Sequence, residues 1–318
     1  MVEYAYALSS EEHDARTLVA TAQRAEEAGF RSVWISDHYH PWIDRQGQSP
    51  FVWSVIGGIA ATTGLTVTTA VTCPTVRIHP AVLAQATATS SNLLPSGRFR
   101  FGVGSGEALN EHILGDRWPP APVRLDMLAE AIEVIRALWT GDQVTHQGDH
   151  YTVENARIYT TPDGDIPVYV SAFGPEAVDV AARRGDGWMT TGPDRDLLSR
   201  YRSEGGAGPA LGAVKVCWAH DEGQARKLAF ELWPTSGIPG QLSQDLATPA
   251  HFEQAASIVS EKAANKGRPC GPDPEAYVAA VREYEDAGFD EVALTQIGPD
   301  QDGFFRFYER ELRDRLPT

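Results

Sequence analysis

Short apolar runs alternate with longer amphipathic runs along nearly the whole chain, and this alternation restricts the fold more than any other feature. The runs at residues 3–8, 32–36, 65–71, 98–103, 166–172, 188–190, 214–218 and 291–295 read as strands. Residues 14–28 carry Leu18, Val19, Ala22, Ala25 and Ala28 at helical spacing, and Gly29 stands where a helix end favours glycine. Residues 51–62, 81–94 and 123–139 read as further helices, the last with Met127, Ile132, Ile135 and Leu138 among its apolar positions. Residues 175–184 open on a proline, as helices often do. About eight strands, each followed by a helix, within 318 residues predict a single (β/α)8 TIM barrel spanning 1–318. The stretches RAEEAGFRSVWIS (24–36) and EYEDAGFDEVALT (283–295) echo each other, and AARRGDGWMTT (181–191) has a related shape. Repeated β/α units of this kind argue against a sandwich or a bundle.

Three segments break the alternation and read as insertions. They lie near 37–50, near 142–158, where alternating stretches flanked by turns predict a β-hairpin, and near 234–249. The last is rich in Gly, Pro, Ser and Gln and long for a connection, which suggests a lid or substrate loop.

The net charge is -16, and the only lysines are Lys215, Lys227, Lys262 and Lys266. So acidic a chain is a poor partner for nucleic acid or an anionic membrane. Cys73, Cys217 and Cys270 are too few and too scattered for a disulfide framework or a zinc site, and they suit a reducing compartment. No basic-then-apolar leader and no membrane-length apolar run is present, so a cytoplasmic location is expected.

The chemistry of a β/α barrel sits at the carboxyl ends of its strands. Glu11 follows the first strand. Asp37, His38, His40 and Trp42 follow the second, within WISDHYHPW (34–42). Cys73 follows the third, the run Ser105–Glu111 the fourth, and Phe173, Gly174 and Glu176 the fifth. Five clusters at one mouth point to an enzyme. His38 beside an acid suits proton transfer from a hydroxyl, although a histidine there also suits a structural bond to a loop carbonyl. Glu107 is either a proton-transfer group or a carboxylate placed at a helix start. Trp42 either covers the barrel or packs on a ring. GVGSGE (102–107) lacks the spacing of a dinucleotide fingerprint. Gly174-Pro175 reads as a phosphate cradle or as a plain tight turn. There is no nucleophile with its base and no metal-ligand spacing, so proton-coupled hydride transfer with a bound cofactor fits best.

The runs SDHYHPW (36–42), TAVTCPT (69–75), FGVGSGEALNE (101–111), LWTGDQVTHQGDHYTV (138–153) and PVYVSAFGPEAVDVAARRGDGW (167–188) carry a resemblance. In order and spacing they resemble the luciferase-like flavin and deazaflavin oxidoreductases, most of all the F420-dependent glucose-6-phosphate dehydrogenase group. The resemblance resumes at PDPEAYVAAVREYEDAGFDEVAL (272–294). It implies a luciferase-like (β/α)8 barrel, a homodimer and coenzyme F420, with hydride passing between a substrate carbon and C5 of the deazaflavin. It gives His38 the substrate proton and Glu107 a proton on the ring's pyrimidine side, with Trp42 and Glu11 lining the substrate space. Cofactor contacts fall on Asp37, Cys73, Ser105, Gly106, Asn110, Phe173, Gly174, Glu176 and Ala177, and a cis peptide on Ala70-Val71.

The resemblance also places substrate contacts at Thr191 and at Asp194, with His40 facing the pocket. Position 194 is where the sugar-phosphate enzymes carry a lysine, and 234–249 holds no Lys or Arg. Arg195, Arg268 and Arg306 remain as possible replacements. The expected substrate is therefore an alcohol or hemiacetal, sugar-like but not glucose 6-phosphate. Alternatives are an F420H2-dependent reductase, an F420-dependent epimerase and, less favoured, an FMN-dependent monooxygenase.

Overall fold

Eight parallel strands close into a barrel in the computed structural model, which describes residues 2–317. They are β1 (Glu3–Leu8), β2 (Ser32–Ile35), β3 (Thr66–Thr69), β4 (Phe99–Val103), β7 (Val168–Ser171), β8 (Gly187–Thr190), β9 (Ala210–Val216) and β10 (Glu291–Gln296). Two further strands, β5 (Val144–Gln147) and β6 (Thr152–Ala156), form the antiparallel hairpin expected near 142–158. Around the ring the order is β1-β10-β9-β8-β7-β4-β3-β2. The helices that return the chain are α1 (Ala15–Glu27), α2 (Val52–Thr62), α3 (Pro80–Leu93), the short α4 (Ala108–Glu111) and α5 (Ala121–Trp139). After the hairpin come α6 (Pro175–Arg184), α7 (Arg195–Ser203), α8 (Glu222–Leu232), α9 (Leu242–Asp245), α10 (Pro249–Ala256), α11 (Glu261–Ala264), α12 (Pro274–Ala287) and α13 (Gln301–Phe307).

Helix α1 shows how the sequence specifies such a unit. Leu18, Thr21, Ala22 and Ala25 face the barrel. The Asp14 carboxylate accepts the Thr17 N–H at 2.8 Å, and Gly29 turns the chain out at φ +99°. Asp14→Ala should lower stability by removing this N-cap. A shift of the urea midpoint with an unchanged slope would register it.

Alternation along the strands sends every second side chain inward. Ala5, Trp34, Tyr169, Met189, Leu211 and Ala293 fill the barrel, with Ala7, Ala70, Val71 and Ala213 above them. Below, Glu291 accepts from the Trp34 indole and from Arg100, both at 2.7 Å. The mouth is thus floored by small residues. A side chain at Gly104 would run into Val71 at 2.8 Å.

Two expectations differ from what is observed. Strand β9 starts at Ala210, four residues before the predicted 214, because Ala210, Gly212 and Ala213 give no strand signal of their own. The 234–249 segment is not plain loop: it holds a 3-10 turn over Pro234–Gly237 and then α9, after the buried Trp233.

Candidate active site

The loop from Asp37 to Pro50 folds over the mouth and is held from several sides. The Asn110 side-chain oxygen accepts the N–H groups of Tyr39 (2.9 Å) and His40 (3.2 Å). Ser49 donates its hydroxyl to the His38 carbonyl at 2.7 Å, and the Gln46 oxygen accepts the Trp42 N–H at 2.8 Å. His38 is thereby set at the mouth with only 10% of its side chain exposed and its ring 5.0 Å from that of Trp42. Trp42 in turn packs edge-on against Phe252 of α10 at 5.1 Å.

Glu11 is buried 3.5 Å from Nε2 of His38. It accepts the hydroxyls of Ser9 (2.9 Å) and Ser36 (2.8 Å). Burial pushes its carboxyl up, but His38, backbone and Ser36 hydrogen bonds and Lys215 outweigh burial, so the net shift is downward. The other ring nitrogen of His38, Nδ1, lies 3.1 Å from the His40 carbonyl and 3.2 Å from the Asn110 amide nitrogen. These contacts belong to different tautomers. When Nδ1 donates to the carbonyl, Nε2 is left with a lone pair to accept a proton.

Glu107 stands at the N-cap position of α4 but makes no capping bond, so its carboxylate is not consumed in starting that helix. It is half-buried, with Oε2 at 3.5 Å from the Asn110 amide nitrogen. Asn110 therefore sits between His38 and Glu107. Gly106 needs its positive φ of +82°, and a side chain there would strike Cys73 at 2.4 Å. Burial, first, and then Glu111 raise the Cys73 thiol well above its ordinary value, so it is an inert wall group. The peptide between Ala70 and Val71 is cis.

Other expected residues fall as follows. Asp37 is buried with both oxygens engaged, one by Arg77 and one by the Thr72 hydroxyl, each at 2.8 Å. Arg77 also pairs with the buried Glu111 at 3.5 Å, a brace between the second, third and fourth strand ends that the sequence reading missed. His40 places Nδ1 2.9 Å from the Leu109 carbonyl and stacks on His112 at 5.7 Å. Gly174 opens α6 without a side-chain cap, Phe173 and Glu176 are exposed beside it, and Ala177 is half-buried. Ser105 is half-buried at the mouth and Thr191 is exposed at the end of β8. Asp194 is exposed, and its carboxylate caps α7 by accepting the Leu197 N–H at 2.9 Å, a structural role that the sequence reading did not foresee.

Lys215, which the sequence reading noted only as one of few lysines, belongs to the mouth as well. It follows Leu211 and Ala213 on the inward row of β9, and that alternation was the available signal.

A family model described as luciferase-like monooxygenase matches residues 3–291. The F420-dependent glucose-6-phosphate dehydrogenase of Microbacterium testaceum is 34% identical, the match covering 99% of this chain and 97% of that one. The enzyme of the same name from Beutenbergia cavernae is 35% identical, over 99% and 98% of the two chains. Among solved structures, an F420-dependent secondary alcohol dehydrogenase in complex with an F420-acetone adduct superposes with a TM-score of 0.91 at 28% identity, covering 100% of this chain and 99% of that one. A barrel matched end to end by these proteins, with His38, Glu11, Asn110 and Glu107 gathered at its mouth, belongs to the luciferase-like family.

Proposed function

We propose that this chain is an F420-dependent oxidoreductase acting on CH–OH groups, with His38 as the base that takes the hydroxyl proton. The observation that carries this reading is the His38–Glu11 pair at 3.5 Å, placed above a floor of small residues. Full-length similarity to dehydrogenases named for F420 supports the choice of cofactor.

The residues present suit a planar deazaflavin. Ala70, Val71, Ala213 and Gly104 leave the floor low, so a flat ring has room where larger side chains would exclude it. Ser105, Gly106, Asn110 and Glu107 border that space on one side, and the uncapped start of α6 at Gly174 offers backbone N–H groups to a phosphate. When bound, the deazaflavin supplies the hydride acceptor. His38 accepts the hydroxyl proton at Nε2, and Glu11 stabilises the imidazolium so formed. Glu107, whose carboxylate is free of helix capping, would hold or supply a proton for a bound ring. Trp42 walls the substrate space and keeps water from it. Cys73, Phe173, Glu176 and Ala177 would border the cofactor on this reading, with Asp37 behind them bracing the wall through Arg77 and Thr72, and His40 and Thr191 would border the substrate.

The purified protein should bind F420 much more tightly than FMN. Eight tryptophans make intrinsic fluorescence a usable signal, and tighter FMN binding in that titration would overturn the cofactor assignment.

A homodimer in a reducing cytoplasm completes the reading. Its support is the three buried free cysteines and the apolar surface left at Phe51 and Val82 on neighbouring elements. Among the described residues no helix is long and apolar enough to cross a membrane. Light scattering during gel filtration would test the dimer.

A further inference from the structure

Arg124, in the first turn of α5, is fully buried. Burying a cation is costly unless hydrogen bonds and opposite charge compensate it. One partner is local: Nη1 donates to the Pro119 carbonyl at 2.8 Å. The others come from α9. Nη2 donates to Oε1 of Gln244 at 2.6 Å, and the Asp245 carboxylate stands 3.9 Å from Nη1. Among the described residues Nε has no partner, so no other element makes up for the loss of α9.

The same guanidinium rests on the Trp118 ring, with its central carbon 4.4 Å from the ring centre. An edge of that ring reaches the cofactor side of the mouth: a side chain at Gly106 would meet its Cη2 at 3.2 Å. Glu107 comes directly after Gly106. On either side of α9, Ile238 and Leu246 pack with Ile43, Leu109 and Phe252 against Trp42, whose ring is 5.0 Å from that of His38. Arg124 therefore touches the segment that backs the substrate wall and also the indole that backs the cofactor loop.

We infer that Arg124 is a positioning residue that latches the 234–249 segment to the loop carrying Gly106 and Glu107, so that the Trp42 wall and the cofactor side of the mouth are set together. What that loop holds rests on the proposed function above; the latch itself rests on the contacts of Arg124. If α9 lifts, the guanidinium loses the carboxylate and the amide oxygen that offset its burial. It must then turn toward water, and Trp118 loses the group packed on its face. In the other direction, a ring seated at Gly106 fixes Trp118 and with it the donor that holds α9. Binding effects coupled in this way are reciprocal.

The test uses Gln244→Ala, which removes the acceptor at a half-buried position, Gln244→Glu, which keeps one, and Arg124→Met. F420 affinity, followed by tryptophan fluorescence, should fall about fivefold in Gln244→Ala and in Arg124→Met, the low end of a typical coupling between sites. Gln244→Glu should bind as the wild type does. A merely structural arginine would give a lower Tm with unchanged affinity, and that result overturns the proposal. A second measurement needs no activity. Thermolysin cleavage between Ile238 and Leu246, located by mass spectrometry, should be about fivefold faster in Arg124→Met than in the wild type. F420 should slow that cleavage in the wild type and not in Arg124→Met. Equal cleavage in the two proteins, or equal protection by F420, overturns the proposal as well. Where Arg124→Met does not fold, Gln244→Ala decides both measurements. If the wild type binds no F420 while Arg124→Met still frees the segment, the function reading fails and the latch stands. If F420 binds equally to all the variants, the latch fails and the function reading stands.

Discussion

His38→Ala should lower turnover by about two orders of magnitude or more while leaving cofactor affinity nearly unchanged. The imidazole stands at the mouth, so its removal deletes the base without disturbing the floor. Its Nε2 is the atom 3.5 Å from Glu11, and its other nitrogen is held by the loop carbonyl of His40. Glu107→Gln should cost a similar factor. The amide keeps the size and polarity of a side chain that makes no helix cap, but it cannot carry the proton. Steady-state kinetics with a parallel F420 titration separates these effects. Near-normal turnover in either variant reduces that residue to a structural part.

Glucose 6-phosphate should be a poor substrate even with saturating coenzyme. A phosphate with up to two negative charges must shed much of its hydration to enter a pocket, and without paired cations that cost is not recovered. Each missing charge-assisted hydrogen bond weakens binding by roughly 1.5–3 kcal/mol, so two reduce affinity by about a hundredfold or more. At position 194 the chain has an aspartate that caps α7, and 234–249 holds no Lys or Arg. Of the arginines considered as replacements, Arg195 and Arg306 are exposed on helices. The Arg268 guanidinium is already engaged by Asn265 and Ser236, each at 2.8 Å. A micromolar KM for glucose 6-phosphate with robust turnover would show that a phosphate site exists.

The barrel was legible because burial on both faces makes its strands apolar runs, as in SVWI of β2 and EVALTQ of β10. The mouth was legible for a similar reason: polar clusters that follow apolar runs, such as Asp37 to Trp42, sit at strand ends by connectivity alone. What connectivity does not give is which polar group faces which. The bond from Arg77 to Asp37 spans 40 positions, and no local pattern marks it. Asp194 looked like a pocket acid in an ungapped reading, yet three residues on lies the N–H that it caps. Lys215 was overlooked because β9 begins with small residues, so its inward row was not recognised as one.

The central claim is hydride transfer between a hydroxyl-bearing carbon and F420 at this mouth. The most direct test follows the visible absorbance of oxidised F420 on the purified enzyme as a panel of alcohols, hemiacetals and non-phosphorylated sugars is added. The account predicts bleaching with at least one of them, slowed when the reacting C–H is deuterated and lost in His38→Ala. No bleaching by any compound, together with oxygen consumption by enzyme loaded with FMN, would contradict it.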